Sequence, residues 1–126
     1  MTGGKAIRRI LIADDDDDFR KMLRRLLEID GYEICEAADG SEAIARYIEQ
    51  PFDLVIADIV MPEKSGIDSI VDIKNIDPEA RFIAISGYHW YGSDAEMELT
   101  KKLGVKTLIK PFRRQNLLDA INLFQN

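Results

Sequence analysis

Short apolar runs and longer amphipathic stretches alternate along this chain. Ile10–Ala13, Leu54–Ala57, Phe82–Ile85 and Leu108–Ile109 are continuous apolar runs, and Tyr32–Ala37 is a mixed run around Ile34 and Cys35. Continuous runs bounded by polar residues suit strands covered on both faces. Between them, Phe19, Met22, Leu23, Leu26 and Leu27 recur at helical spacing, and Gly31 follows where a left-handed cap belongs. Asp39 and Glu42 are spaced like a capping box ahead of Ala43, Ile44, Tyr47 and Ile48, and Pro51 closes that helix. Ile67, Ile70 and Val71 predict a third helix that stops near Asp77–Pro78. Leu117, Leu118, Ile121 and Phe124 predict a terminal one, entered through Pro111. From Ser93 to Leu103 only Ala95, Leu99 and Leu103 share a face, which predicts the most weakly anchored helix. Five strands alternating with five helices predict an α/β domain with a parallel sheet and right-handed crossovers. Ligands of such sheets bind at the carboxyl ends of the strands.

Composition narrows the function. A length of 126 residues suits one domain over 1–126, with a core from about residue 9 to 124 and a frayed start at Met1–Gly4. Acidic residues outnumber basic ones 23 to 17, for a net charge of −6. That balance opposes a direct nucleic-acid or anionic-membrane surface, either of which needs a basic footprint. The single cysteine, Cys35, excludes an internal disulfide and a multi-cysteine zinc site, and reads as a small buried hydrophobe. No apolar run approaches the ~18 residues of a membrane span. Met1–Arg9 lacks the apolar core of a signal peptide, so a cytoplasmic location is expected.

The unusual polar residues fall at strand ends. Asp14 to Asp18 follow the first apolar run, Asp58 follows the third strand and Ser86 the fourth. Lys110 ends the fifth, with Pro111 next. The topology gathers all of them on one rim of the sheet. At ~4 Å and an effective dielectric near 20, each pair among Asp14, Asp15 and Asp58 repels by about 4 kcal/mol. Either one stays protonated or a cation sits among them. Oxygen-only ligands suit Mg²⁺. A metal, a lysine and a hydroxyl together serve phosphoryl transfer, with Asp58 as the candidate nucleophile. Asp16 to Asp18 have a simpler reading, as complements to the positive end of the first helix. His89 reads as a loop residue, and the aromatic cluster Tyr88–Tyr91 as either tucked inward or a contact patch.

At these residues the chain resembles the receiver domain of two-component response regulators. The matching stretches are Asp14-Asp15-Asp16, Asp58-Ile59-Val60-Met61-Pro62 with Gly66, Ser86-Gly87, and Lys110-Pro111-Phe112. The resemblance spans about Arg9 to Phe124. It implies a doubly wound, flavodoxin-like five-stranded sheet of order 2-1-3-4-5 with five helices. It also implies that Asp58 takes a phosphoryl group from the phosphohistidine of a sensor histidine kinase or phosphotransfer protein. Asp15 and Asp58 would bind Mg²⁺ with the backbone carbonyl of Val60, and Asp14 through a bound water. Ser86 and Lys110 would engage the phosphoryl oxygens, and the Lys110–Pro111 bond would be cis. A downstream protein target, or a second copy of the chain, would be met on the last two helices. Thr107 stands where the family usually carries an aromatic switch residue, which moves the readout toward Tyr88–Tyr91. Val60 and Tyr88, two positions after Asp58 and Ser86, would shield the acyl phosphate and lengthen its life. The domain would be a signalling module rather than an enzyme.

Three other readings stay open at this level. A receiver that has lost its chemistry serves only for docking. A small Mg²⁺-dependent aspartyl-phosphate phosphatase shares an Asp nucleophile but normally carries it after the first strand. A flavodoxin-like electron carrier would need a loop rich in Ser, Thr and Gly where this chain has five aspartates.

Overall fold

The computed structural model describes residues 6–59, 66–86 and 101–125. Each of the five apolar runs forms a strand. These are β1 (Arg9–Ala13), β2 (Glu33–Ala37), β3 (Leu54–Asp58), β4 (Phe82–Ser86) and β5 (Lys106–Ile109). They make one parallel sheet in the order β2-β1-β3-β4-β5, which is the order expected. Strand order reverses between β1 and β3, and the crevice above that point is where such sheets take ligands.

Side chains on a strand alternate between faces, so the sheet feeds two cores. Leu11, Ala13, Val55, Ala57, Phe82 and Ala84 enter the first, with Ala43 and Tyr47 of α2 (Gly40–Glu49) and Ile67, Ile70 and Ile73 of α3 (Gly66–Ile76). Ile10, Ile12, Leu54, Ile56, Ile83 and Ile85 enter the second. There they meet Leu23 and Leu27 of α1 (Asp17–Ile29), and Leu117, Ala120 and Ile121 of α4 (Arg114–Leu123). Covering both faces is what makes the sheet doubly wound. It also explains why its strands read as unbroken apolar runs.

The helices are narrower on their buried side than the periodicity predicts. Met22 and Ile48, counted into apolar stripes, are 46% and 61% exposed, because a helix over a flat sheet buries little more than one line of side chains. On α1 that line is Arg20, Leu23 and Leu27, and on α2 it includes Ala43 and Tyr47. The described residues hold four helices rather than five. The helix expected over Ser93–Leu103 lies mostly outside them, although Lys101 and Lys102 are helical and Leu103 packs on the first core.

Helix ends follow local chemistry. Asp16 caps α1, its carboxylate accepting from the Phe19 N–H at 3.1 Å. Gly31 follows α1 at φ 94°, a left-handed conformation that glycine adopts without strain. Asp39 caps α2 at 2.8 Å from the Glu42 N–H. The Glu42 carboxylate reaches back to the Ala38 N–H at 2.6 Å, one residue before the bond of a standard capping box. Gly66 opens α3 against the end of β3, its N–H donating to the Ile59 carbonyl at 2.9 Å. A β-carbon there would lie 2.8 Å from Ile59 Cα and would clash with the Asp58 carbonyl oxygen.

Candidate functional site

The second core runs directly into polar chemistry. Asp14 stands two positions after Ile12, Asp58 two after Ile56, and Lys110 two after Leu108. Period-two alternation therefore carries all three onto one face, Asp58 as the last residue of β3 and Asp14 and Lys110 just past the ends of β1 and β5. The Lys110 N–H donates to the Ser86 carbonyl at 2.8 Å, which holds the end of β5 against β4. From there the Lys110 ammonium donates to Asp58 Oδ2 at 3.1 Å and to Asp14 Oδ2 at 3.3 Å. One carboxylate oxygen from each of Asp14, Asp15 and Asp58 lies within 4.8 Å of the others. Asp14 and Asp58 are buried, and Asp15 faces solvent.

The charges are unevenly matched. Burial pushes the Asp14 carboxyl above its usual range, and the negative charge of Asp58 adds to that. The Asp16 N–H, which donates to Asp14 Oδ1 at 2.9 Å, and the Lys110 ammonium work in the other direction without cancelling it. Burial alone would lower Lys110. The charges of Asp14 and Asp58 outweigh it and hold the ammonium above the usual lysine range. Lys110 is therefore charged at neutral pH. Among the described residues three carboxylates meet one ammonium, a balance that suits a further cation. The donor set is all oxygen, compact and open to solvent through Asp15. That chemistry fits Mg²⁺, which keeps several waters and needs few protein ligands.

Ser86 is buried as the last residue of β4. It continues the row of Phe82 and Ala84, so it reaches the same rim from the side of the sheet that packs on α3. Thr107 lies half-buried in β5, paired with Ala84. The Lys110–Pro111 bond is cis. Asp17 and Asp18 occupy the first turn of α1, apart from the carboxylate cluster. Cys35 is half-buried against the first core rather than fully enclosed. Val60, Met61, Pro62, Gly87 and the Tyr88–Tyr91 cluster, His89 included, lie outside the described residues.

Three neighbours of the site escaped the sequence reading. Arg20 is buried, and its guanidinium donates to the Asp14 carbonyl at 2.7 Å and to Glu36 Oε1 at 2.7 Å. Glu36 also accepts from Arg24 at 2.7 Å. Its burial works to raise the carboxyl, and the hydrogen bonds from Arg24 and Arg20 overcome that and hold it below the ordinary value. The third is Phe19, whose ring lies under the Lys110 ammonium at 4.1 Å. Two signals were available. Arg20 continues the line of Leu23 and Leu27 by helical spacing, and Glu36 interrupts an otherwise apolar strand end.

Residues 10–122 match the response regulator receiver domain family. Over 117 residues the chain is 39% identical to the chemotaxis protein CheY of Thermotoga maritima, covering 91% of this chain and 95% of that one. A chain of the CheX–CheY–BeF3–Mg²⁺ complex from Borrelia burgdorferi superposes with a TM-score of 0.83 at 30% identity, covering 94% of this chain and 90% of that one. The Thermotoga maritima response regulator TrrA, solved with Mg²⁺ and BeF, gives a TM-score of 0.82 at 30% identity, covering 94% and 99%.

Proposed function

The chain belongs to the response regulator receiver domain family, and from that membership we propose that it is a phosphoacceptor switch charged at Asp58. The observation that carries this reading is the Lys110 ammonium set between Asp14 and Asp58 within a cluster of three carboxylates. The donor is the phosphohistidine of a sensor kinase or phosphotransfer protein. An Asp58 carboxylate oxygen attacks phosphorus, the P–N bond breaks, and its electron pair returns to the imidazole. Asp14, Asp15, Asp58 and the Val60 carbonyl would hold Mg²⁺, which when bound supplies positive charge against the phosphoryl oxygens. Lys110 moves its hydrogen bonds from the carboxylates to a phosphoryl oxygen, and the Ser86 hydroxyl donates to another. The added charge, about −1.5 to −2 by analogy with other phosphoresidues, biases the loops after β3 and β4. With Thr107 in β5, Tyr88 takes over the part of the aromatic switch.

The downstream partner is another protein, or a second copy of the chain, met on the α4 side. One observation supports that placement: Ile109 and Leu123 are 63% and 62% exposed and line one groove between β5 and α4. The likeness to a chain from a CheX–CheY complex supports a protein as the partner. The protein is a signalling module, placed in the cytoplasm with its kinase.

Acetyl phosphate or beryllofluoride with Mg²⁺ tests the reading. The expected result is a gain of one phosphoryl group in intact mass and a change in Trp90 fluorescence, both lost in Asp58→Asn. An unchanged mass at every Mg²⁺ concentration would leave docking as the only role.

A further inference from the structure

We infer that Phe19 is a positioning residue for Lys110, holding its ammonium over the carboxylates through the face of its ring. The inference rests on the reading of Asp58 as phosphoacceptor, since Lys110 is the counter-charge for that chemistry. Phe19 lies in the first turn of α1, and the Lys110 nitrogen sits 4.1 Å from its ring centroid. The negative face of an aromatic ring attracts a cation, most strongly where water is reduced. The lysine side chain is only 24% exposed. Phe112 meets the Phe19 ring edge-on, at 6.1 Å between centroids and 90° between planes, and fixes its tilt. The backbone of Phe19 is fixed as well, because its N–H is the one that Asp16 caps.

These contacts close a loop. Asp14 accepts from the Asp16 N–H, Asp16 accepts from the Phe19 N–H, the Phe19 ring carries Lys110, and Lys110 returns to Asp14. Lys110 has a long, flexible stem whose ordering costs entropy. Two hydrogen bonds to carboxylates do not by themselves restrict where the stem lies. The ring supplies a surface for the ammonium to rest on, so it is already in place when a phosphoryl group arrives. Phe19→Leu keeps most of the apolar volume and removes the ring, taking away both its face toward Lys110 and its edge contact with Phe112. Phe19→Tyr keeps the ring.

The test has two readouts on the full chain. The first is the carbon–proton spectrum of Lys110 without phosphodonor, assigned through Lys110→Arg. Ring current should displace the Lys110 Hε signals upfield in the wild type and in Phe19→Tyr, and return them to the ordinary lysine position in Phe19→Leu. The second is the rate of Asp58 phosphorylation by acetyl phosphate with Mg²⁺. That rate should fall about threefold to tenfold in Phe19→Leu, the range a cation–π contact supplies, and recover in Phe19→Tyr. Wild-type Hε signals at the ordinary position overturn the inference. So does a Phe19→Leu rate equal to wild type, or a Phe19→Tyr rate as low as that of Phe19→Leu. A wild-type chain that takes no phosphoryl group overturns the phosphoacceptor reading itself and the role of Phe19 with it. A reactive wild type with an equally reactive Phe19→Leu overturns Phe19 alone.

Discussion

Gly66 meets the site through its backbone. Replacing a helical glycine by alanine ordinarily stabilises by about 0.5–1 kcal/mol. Here the added methyl would clash with the Asp58 carbonyl and approach Ile59 Cα at 2.8 Å, and both obstacles are main chain with no side-chain freedom to yield. Overpacking of this kind costs about 1–3 kcal/mol and exceeds the gain. Gly66→Ala is therefore expected to lower Tm and to slow phosphorylation at Asp58, because the strand end that carries Asp58 must shift. Thermal melting and acetyl-phosphate labelling check both effects, and an unchanged Tm with full labelling would contradict the argument. The gathering of Asp14, Asp58 and Lys110 was legible because each stands at the carboxyl end of an apolar run. Phe19 was not legible as more than a core residue, because its value to Lys110 depends on where the loop after β5 returns, 91 positions later in the chain.

The first two turns of α1 act as an organising element. Arg20 bonds the Asp14 carbonyl and Glu36, and Arg24 bonds Glu36 and Glu28, so a charged ladder ties α1 to β2 below the acidic cluster. Glu36 is held below its ordinary value of 4.5, so it stabilises the fold through its ionised form. That stability is complete above the unfolded value and is lost as pH falls through the lower folded one. Glu36→Gln should cost about 1.5–3 kcal/mol at neutral pH, the range for hydrogen bonds to charged groups, and the deficit should shrink in acid as the wild type loses the same interaction. Denaturant titrations at pH 7 and at pH 3.5 test this on the protein. A deficit that stays constant between the two would remove the charge argument. The elements themselves were largely legible, because strands covered on both faces leave unbroken apolar runs. Their breadth was not. A helix laid on a sheet buries a thin line, so Met22 and Ile48 satisfied the helical spacing and still ended in solvent. Arg20 took a buried position that periodicity reserves for apolar residues.

At the scale of the whole molecule, stability and the site are linked. Folding brings Asp14, Asp15 and Asp58 together, and the unfolded chain separates them by up to 44 positions. A cation that binds the folded cluster must therefore raise Tm by mass action. At a concentration of 100 times Kd the gain is about 2.7 kcal/mol, roughly 10 °C for a chain of this size. Mg²⁺ titration by calorimetry should show that rise in the wild type and a much smaller one in Asp58→Asn. Equal rises in both would place the cation elsewhere.

Ser86 and the Asp58–Lys110 pair stand on opposite sides of one pleated layer, although they meet at a single rim. Were Asp58 phosphorylated, the event would be delivered in duplicate: the amine would convey it to the shell built from α1 and α4, the hydroxyl to the shell built from α2 and α3. Evolution could retune either audience without silencing the other.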